Sequence, residues 1–259
     1  MGHPRAIPLT AELSHDSISQ VRLHREALTE IVAEIVGGAI APGDRLPNET
    51  GVAERFNVSR GVARECLRAL EERGLVTVRH GSATTVRPRE EWDLFDPDIL
   101  AAGLAGPAAA KILGDYLECR RIVEIAAAGL AAERATSAQV AGLADRLAEM
   151  VEAVERLKGR EQERAYHLAD VAFHRSLIEA TGNLPLASLV RRIDDALLAA
   201  RYPLARPAYR RQRAIPEHAA ILRAVEAHDA DAARAAMEAH LATVERYLQE
   251  HARRLARAA

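Results

Sequence analysis

Residues 48–74 read NETGVAERFNVSRGVARECLRALEERG, and two short helices can be read from them. Asn48 is an N-cap candidate, since its side-chain oxygen can accept from the open amides of a first helical turn. The helix it opens runs to about Arg55. Asn57 tolerates the left-handed conformation that ends helices. Ser59 is a second N-cap, opening a helix through Ala69 to Arg73, and Gly74 is its C-terminal stop. Two short helices joined by a tight turn form a helix-turn-helix pattern. Within the second helix, Cys66, Leu67 and Leu70 can face the first helices, while Arg60, Arg64 and Arg68 recur every four residues on another stripe.

Outward from this stretch the pattern extends in both directions. Upstream, Leu28, Ile31, Ile35 and Val36 keep a helical period that stops at Gly37-Gly38, and Ala41-Pro42-Gly43-Asp44 signals a turn. Residues 1–20 are polar and aperiodic and are expected to form a loose arm. Downstream, Leu75–Val78 and Thr84–Val86 favour strands around a His80-Gly81-Ser82 turn. Three helices and a small hairpin are the layout of a winged helix-turn-helix over residues 21–88. Residues 89–105, with the only tryptophan, are expected as a linker, and residues 106–259 read as an all-α bundle of about six helices. Helix breaks are expected near Gly106-Pro107, Thr136-Ser137, Gly159, Gly182-Asn183, Tyr202–Pro207, Ile215-Pro216 and Asp229. The fold class is therefore mainly α, and a chain only 3% aromatic but rich in alanine agrees with it.

The formal net charge of −2 argues against a nucleic-acid partner only if charge is spread evenly. It is not: residues 55–89 hold eight arginines against Glu65, Glu71 and Glu72, a local excess expected of a DNA-binding face. A recognition helix enters the major groove by its N-terminal end. Arg60 and Arg64 sit there, suited to bidentate reading of guanine or to clamping phosphate. Ser59 can cap and donate to phosphate, Gly61 leaves room for close approach, and His80 adds a titratable cation at the wing tip; Gly81 also reads simply as the turn residue. Arginine supplies 33 of the 35 basic residues, a skew that reads mainly as genomic base composition. Two cysteines, Cys66 and Cys119, supply no disulfide framework, and with no secretory-type apolar stretch near the N-terminus a cytoplasmic setting is expected. No apolar run approaches the roughly 20 residues of a membrane helix.

In the C-terminal half, Asp170 and His174 are four apart and share a helix face. His218 follows Pro216-Glu217, and His240 lies in the last helix. Three imidazoles and a carboxylate suit a borderline divalent cation, zinc first and nickel or manganese next, with positions left open for a ligand. The alternative is that these are satisfied core histidines. His167, one turn before Asp170, is a candidate outer partner.

The segment GAIAPGDRLPNETGVAERFNVSRGVARECLRALEERGLVTVRHGSATTVRP resembles the N-terminal domain of GntR-type bacterial transcription regulators. By that resemblance Ser59, Arg60, Gly61, Val62 and Arg64 lie on DNA, and His80 and Gly81 place the wing in the minor groove. Thr50 and Ala83 depart from residues common at those positions. LECRRIVEIAAAGLAAERA, DVAFHRSLIEATGNLPL and EHAAILRAVEAHDADAARAAMEAHL resemble the FCD-type effector domain of the FadR-like branch. There the resemblance implies a metal held by Asp170, His174, His218 and His240, and a cavity arginine, Arg120, that pairs with an effector carboxylate. The other reading of Arg120 is an exposed partner of Glu124 at i+4.

Together these imply a repressor-type regulator, not an enzyme. It is expected to be a homodimer on a palindromic double-stranded operator, with no membrane association, responding to a small organic acid. EEWDLFDPDIL resembles members that respond to sugar acids. A purely structural metal is the first alternative. A metal-dependent enzyme is the second, and no carboxylate is placed as its general base.

Overall fold

The computed structural model describes the backbone of residues 15–79, 84–199 and 208–258, and the side chains of residues 20, 22–79, 84–196 and 211–247. The chain divides into two compact units, Met1–Ala102 and Gly103–Ala259. The expected wing residues His80, Gly81 and Ala83, and the break at 202–207, lie outside the described residues.

The first unit contains α1 (His15–Val36), β1 (Arg45–Leu46), α2 (Glu49–Phe56), α3 (Arg60–Glu72), β2 (Val76–Thr77) and β3 (Thr84–Val86). The expected arm is shorter than 1–20, because α1 already begins at His15; His15–Gln20 contains neither glycine nor proline to stop a helix. The helix ends follow local chemistry. Asn48 Oδ1 accepts from the Gly51 amide at 3.0 Å, and Ser59 Oγ accepts from the Val62 amide at 3.2 Å. Asn57 closes α2 in the left-handed conformation (φ 50°, ψ 47°). α3 buries Ala63, Cys66, Leu67 and Leu70 against Ala27, Ile31 and Ile35 of α1 and Val52 of α2. Burial pushes the Cys66 thiol up to about 11, so it packs as an inert apolar residue.

The antiparallel sheet has the order β1-β3-β2. Leu46 pairs with Thr84 and Val76 with Val86, and these four residues are buried, while Arg45, Thr85 and Thr77 pair in the next row. β1 escaped the sequence reading because two residues between a turn and Pro47 show no alternation. The expected linker also carries structure: a 3-10 turn at Arg89–Glu91 and α4 (Pro97–Ala105). Trp92 and Ile99 join the N-terminal core. Trp92 Nε1 donates to the Arg87 carbonyl at 3.0 Å, and Arg73 holds Asp96 at 3.2 Å and Asp98 at 2.9 Å. A tryptophan is too large an apolar surface to leave in water.

The second unit contains α5 (Ala109–Arg134), α6 (Ser137–Arg156), α7 (Gly159–Glu179), α8 (Leu184–Ala199), α9 (Ala208–Glu226) and α10 (Ala230–Ala258). Thr136 and Gln139 form a reciprocal capping box before α6. The break expected at Ile215-Pro216 is absent, and α9 runs through Pro216. An interior proline costs about 3 kcal/mol. Ile221 and Val225, buried on one face of α9, offset it, since each large apolar side chain contributes about 1.5–3 kcal/mol. The core joins α5, α6, α7, α9 and α10 through Ala131, Leu143, Met150, Phe173, Leu177, Ile221 and Met237.

Among the described glycines of the first unit, Gly74 is the one least able to take a side chain. Its φ is +72°, and a Cβ there would lie 2.3 Å from the Glu91 carbonyl oxygen. Gly74→Ala is expected to destabilise the protein by about 2–4 kcal/mol, from left-handed strain and a backbone clash, read as a lower midpoint in urea unfolding. A midpoint within error of the parent contradicts this.

Candidate metal centre and nucleic-acid face

The exposed side of α3 carries Arg60, Gly61, Arg64 and Arg68, with Ser59 at its cap and Val62 half-buried beneath. The cap satisfies one amide of the first turn, and the remaining amides face outward with the positive end of the helix. A Cβ built on Gly61 meets only Ser59 Oγ, at 3.7 Å, so the fold does not require glycine there.

The arginine excess is smaller in space than along the chain. Arg55 pairs with Glu30 and Glu34, Arg64 with Glu49, Arg68 with Glu65, Arg73 with Asp96 and Asp98, and Arg87 with Glu91. Most of those acids lie outside residues 55–89, where a count along the chain does not see them. Among the described residues, Arg60, Arg79 and Arg89 of that stretch form no ion pair, and neither does Arg45 beside it. Arg89 lies over the Trp92 ring at 5.8 Å.

In the second unit, His174 from α7, His218 from α9 and His240 from α10 converge, with one ligand atom of each within 4.8 Å of the others. All three are 0–1% exposed. The ring centroids of His218 and His240 are 4.3 Å apart, and Phe173 meets His218 edge-on at 5.0 Å. Each Nδ1 faces an acceptor: His174 faces Glu124 Oε2 at 2.7 Å, His218 the Ala214 carbonyl at 2.8 Å, and His240 Glu217 Oε2 at 2.9 Å. A carbonyl or carboxylate can only accept, so Nδ1 carries the proton and Nε2 of a neutral ring carries the lone pair. The Nε2 atoms of His174 and His218 then face each other at 3.3 Å, and Asp170 Oδ1 lies 3.3 Å from His218 Nε2. Acceptors converging at this distance repel unless a cation or a proton sits among them. Outer carboxylates and carbonyls that fix a histidine's tautomer are the usual support of a metal ligand, so the residues present fit a divalent cation.

Of the four residues the sequence reading placed together, the structure brings His174, His218 and His240 into one cluster and puts Asp170 Oδ1 3.3 Å from His218 Nε2. The Nδ1 neighbours Glu124 and Glu217 were not foreseen. A signal existed for Glu124, a lone acid in the apolar run IVEIAAAG. Glu217 had none, because its partner lies 23 residues away.

Arg120 pairs with Glu124 at i+4 as the alternative reading had it, but the pair is buried, not exposed. It donates from Nε to Glu124, and Asp194 Oδ1 lies 3.9 Å away. Burial opposes the charge of Arg120, but Glu124, Asp194 and Asp170 outweigh it and raise its pKa. Burial likewise opposes ionisation of Glu124, yet the charge of Arg120 outweighs it and holds its carboxyl down at about 2. Burial raises the Asp194 carboxyl, with Arg120 working against it.

Comparison with known proteins agrees with both halves. The family "Bacterial regulatory proteins, gntR family" matches residues 23–86, and the FCD domain matches residues 115–243. The chain is 31% identical to the galactonate operon transcriptional repressor of Escherichia coli K12, over 84% of this chain and 93% of that protein. It is 36% identical to the HTH-type transcriptional regulator LutR of Bacillus subtilis (82% and 94%) and 30% identical to the transcriptional repressor NanR of Escherichia coli K12 (86% and 84%). Among solved structures, the Listeria monocytogenes regulator Lar superposes with a TM-score of 0.62 at 17% identity, covering 88% of this chain and 97% of that one. Winged-helix caps, a three-histidine core and these relatives converge: the chain belongs to the GntR family of bacterial transcription regulators and carries a C-terminal FCD domain.

Proposed function

We propose that this protein is a cytoplasmic, ligand-responsive repressor. It binds as a homodimer to a palindromic double-stranded operator through Ser59, Arg60, Gly61, Val62 and Arg64, with His80 and Gly81 of the wing in the minor groove. His174, His218, His240 and Asp170 hold a divalent cation, with zinc as the preferred ion and nickel or manganese as further options. When bound, that ion supplies an open position able to take a carboxylate oxygen of a small organic acid, a sugar acid being the first class to test. The observation that carries this reading is the set of three buried imidazoles that each bring one ring nitrogen within 4.8 Å of the others. Two copies joined through their helical units would present two recognition helices to successive half-sites. An acid that favours one arrangement of the dimer changes operator affinity by its differential affinity for the two arrangements.

One observation favours a second reading, a purely structural metal: the Nε of Arg120, the expected effector contact, is already engaged by Glu124. The two readings separate in a thermal-shift experiment. In both, zinc added to chelator-treated protein raises the melting temperature, by an amount set by RT ln(1 + [L]/Kd), about 2.7 kcal/mol at a hundredfold excess over Kd. His218→Ala removes that shift. Under the sensor reading, one member of a panel of aldonates, other hydroxy acids and dicarboxylic acids raises the midpoint further and only with metal present. The same acid alters operator affinity, and both effects fall at least tenfold in Arg120→Ala. A zinc shift with no acid response favours the structural reading. No shift with zinc, nickel or manganese in the parent protein overturns both.

Gly61→Ala tests the recognition helix. The fold leaves space for the methyl group, and alanine gains helix propensity of up to about 1 kcal/mol, so the melting temperature is expected to hold or rise. Affinity for an operator selected from a random duplex library is expected to drop about tenfold or more in fluorescence anisotropy. Unchanged affinity removes Gly61 from the interface.

A further inference from the structure

We propose that Glu49, the first residue of α2, is a positioning residue that holds Arg64 for end-on reading of one guanine in each half-site. The inference rests on the reading that α3 contacts bases. Arg64 Nε lies 2.9 Å from Glu49 Oε1 and Nη2 lies 3.1 Å from Glu49 Oε2, a bidentate, side-on pair. Both side chains are about half-exposed, at 53% and 40%, so the pair sits at the surface that α3 offers and not beneath it. A guanidinium has two usable edges. The side-on edge, Nε with one Nη2 hydrogen, is taken by Glu49. The end-on edge, one Nη1 hydrogen beside the other Nη2 hydrogen, forms no hydrogen bond among the described residues. That edge is the one that matches guanine O6 and N7.

Two consequences follow from the pairing. Arginine loses rotamer freedom when it docks on a base, and a side chain already held by a carboxylate has given up that freedom before DNA arrives. The carboxylate also offsets the guanidinium's charge locally, so Arg64 is less drawn to any passing phosphate and more dependent on a directional acceptor pair. Glu49 therefore favours the right base and disfavours non-specific binding together. Arg60, four residues earlier and without an ion pair among the described residues, has no such restraint and remains available to phosphate.

The test is selection from a random duplex library by the full-length parent, Glu49→Gln, Arg64→Ala and the double variant, read as relative affinity base by base. Glutamine keeps the size of the side chain and loses the charge. In Glu49→Gln, preference for guanine at one position of each half-site is expected to fall about tenfold, the scale of one good bidentate contact, while other positions keep theirs. Affinity for non-specific DNA should stay level or increase. Arg64→Ala should lose preference at the same position, and adding Glu49→Gln to it should change nothing there. A uniform loss across all positions in Glu49→Gln, as from a weakened α2, overturns the proposal, and so does a uniform gain or an unaltered profile. If Arg64→Ala itself keeps every base preference, Arg64 is not a base reader, and that outcome overturns the parent reading of this residue as well.

Discussion

Three imidazoles buried in an apolar bundle are the constraint on which the second unit depends. Each ring has two nitrogens, and each nitrogen must be satisfied where water does not reach. The Nδ1 atoms of His218 and His240 are satisfied outward, by the Ala214 carbonyl and Glu217, and that of His174 lies 2.7 Å from Glu124 Oε2 without hydrogen-bond alignment. That choice fixes the tautomers of His218 and His240 and commits the Nε2 atoms to face one another. Four helices are then tied to one point: α5 brings Glu124, α7 brings His174 and Asp170, α9 brings Ala214, Glu217 and His218, and α10 brings His240. Glu124 does this only as an anion, and Arg120 beside it, itself buried, is what keeps it ionised against the cost of burial. The arginine that sequence reasoning assigned to a ligand thus already has structural work within the same cluster.

The same demand explains why α9 tolerates Pro216. The carbonyl of Ala214 must stand four residues before His218 to accept from its ring, and Glu217 must reach His240 from the same helix. A break at Ile215-Pro216 would separate these groups. The helix keeps its course because Ile221 and Val225 continue the buried face beyond the proline. Local propensity loses here to packing and to hydrogen bonding at the centre.

What was legible in the sequence is what is local. Asn48, Asn57, Ser59 and Gly74 act on amides, carbonyls and backbone angles within a few residues, so caps and helix limits of the reading module could be placed in advance. Asp170 and His174 share a helix face at i, i+4, His218 and His240 could be named as candidates, and the resemblance to FCD domains implied that the four act as one set. What stayed hidden is non-local. β1 exists only because β3 lies beside it. Residues 89–105 read as a linker until Trp92 and Ile99 find the N-terminal core. Glu217 meets His240 across two helices, and no spacing announces it.

Charge shows the same division and sharpens the role of arginine. Counted along residues 55–89 the excess of basic residues is large; in space, five of the eight arginines are held by acids, mostly from elsewhere in the chain. A face built this way cannot rely on bulk positive charge to hold a polyanion, and it must depend on a few cations and on where their donors point. Lysine would not serve, since an ammonium neutralised by a carboxylate keeps no oriented edge for a second partner. A guanidinium does, because its planar fork presents one edge to Glu49 and another outward. Whatever base composition set the arginine-to-lysine ratio, the paired surface around α3 is one that only arginine makes workable.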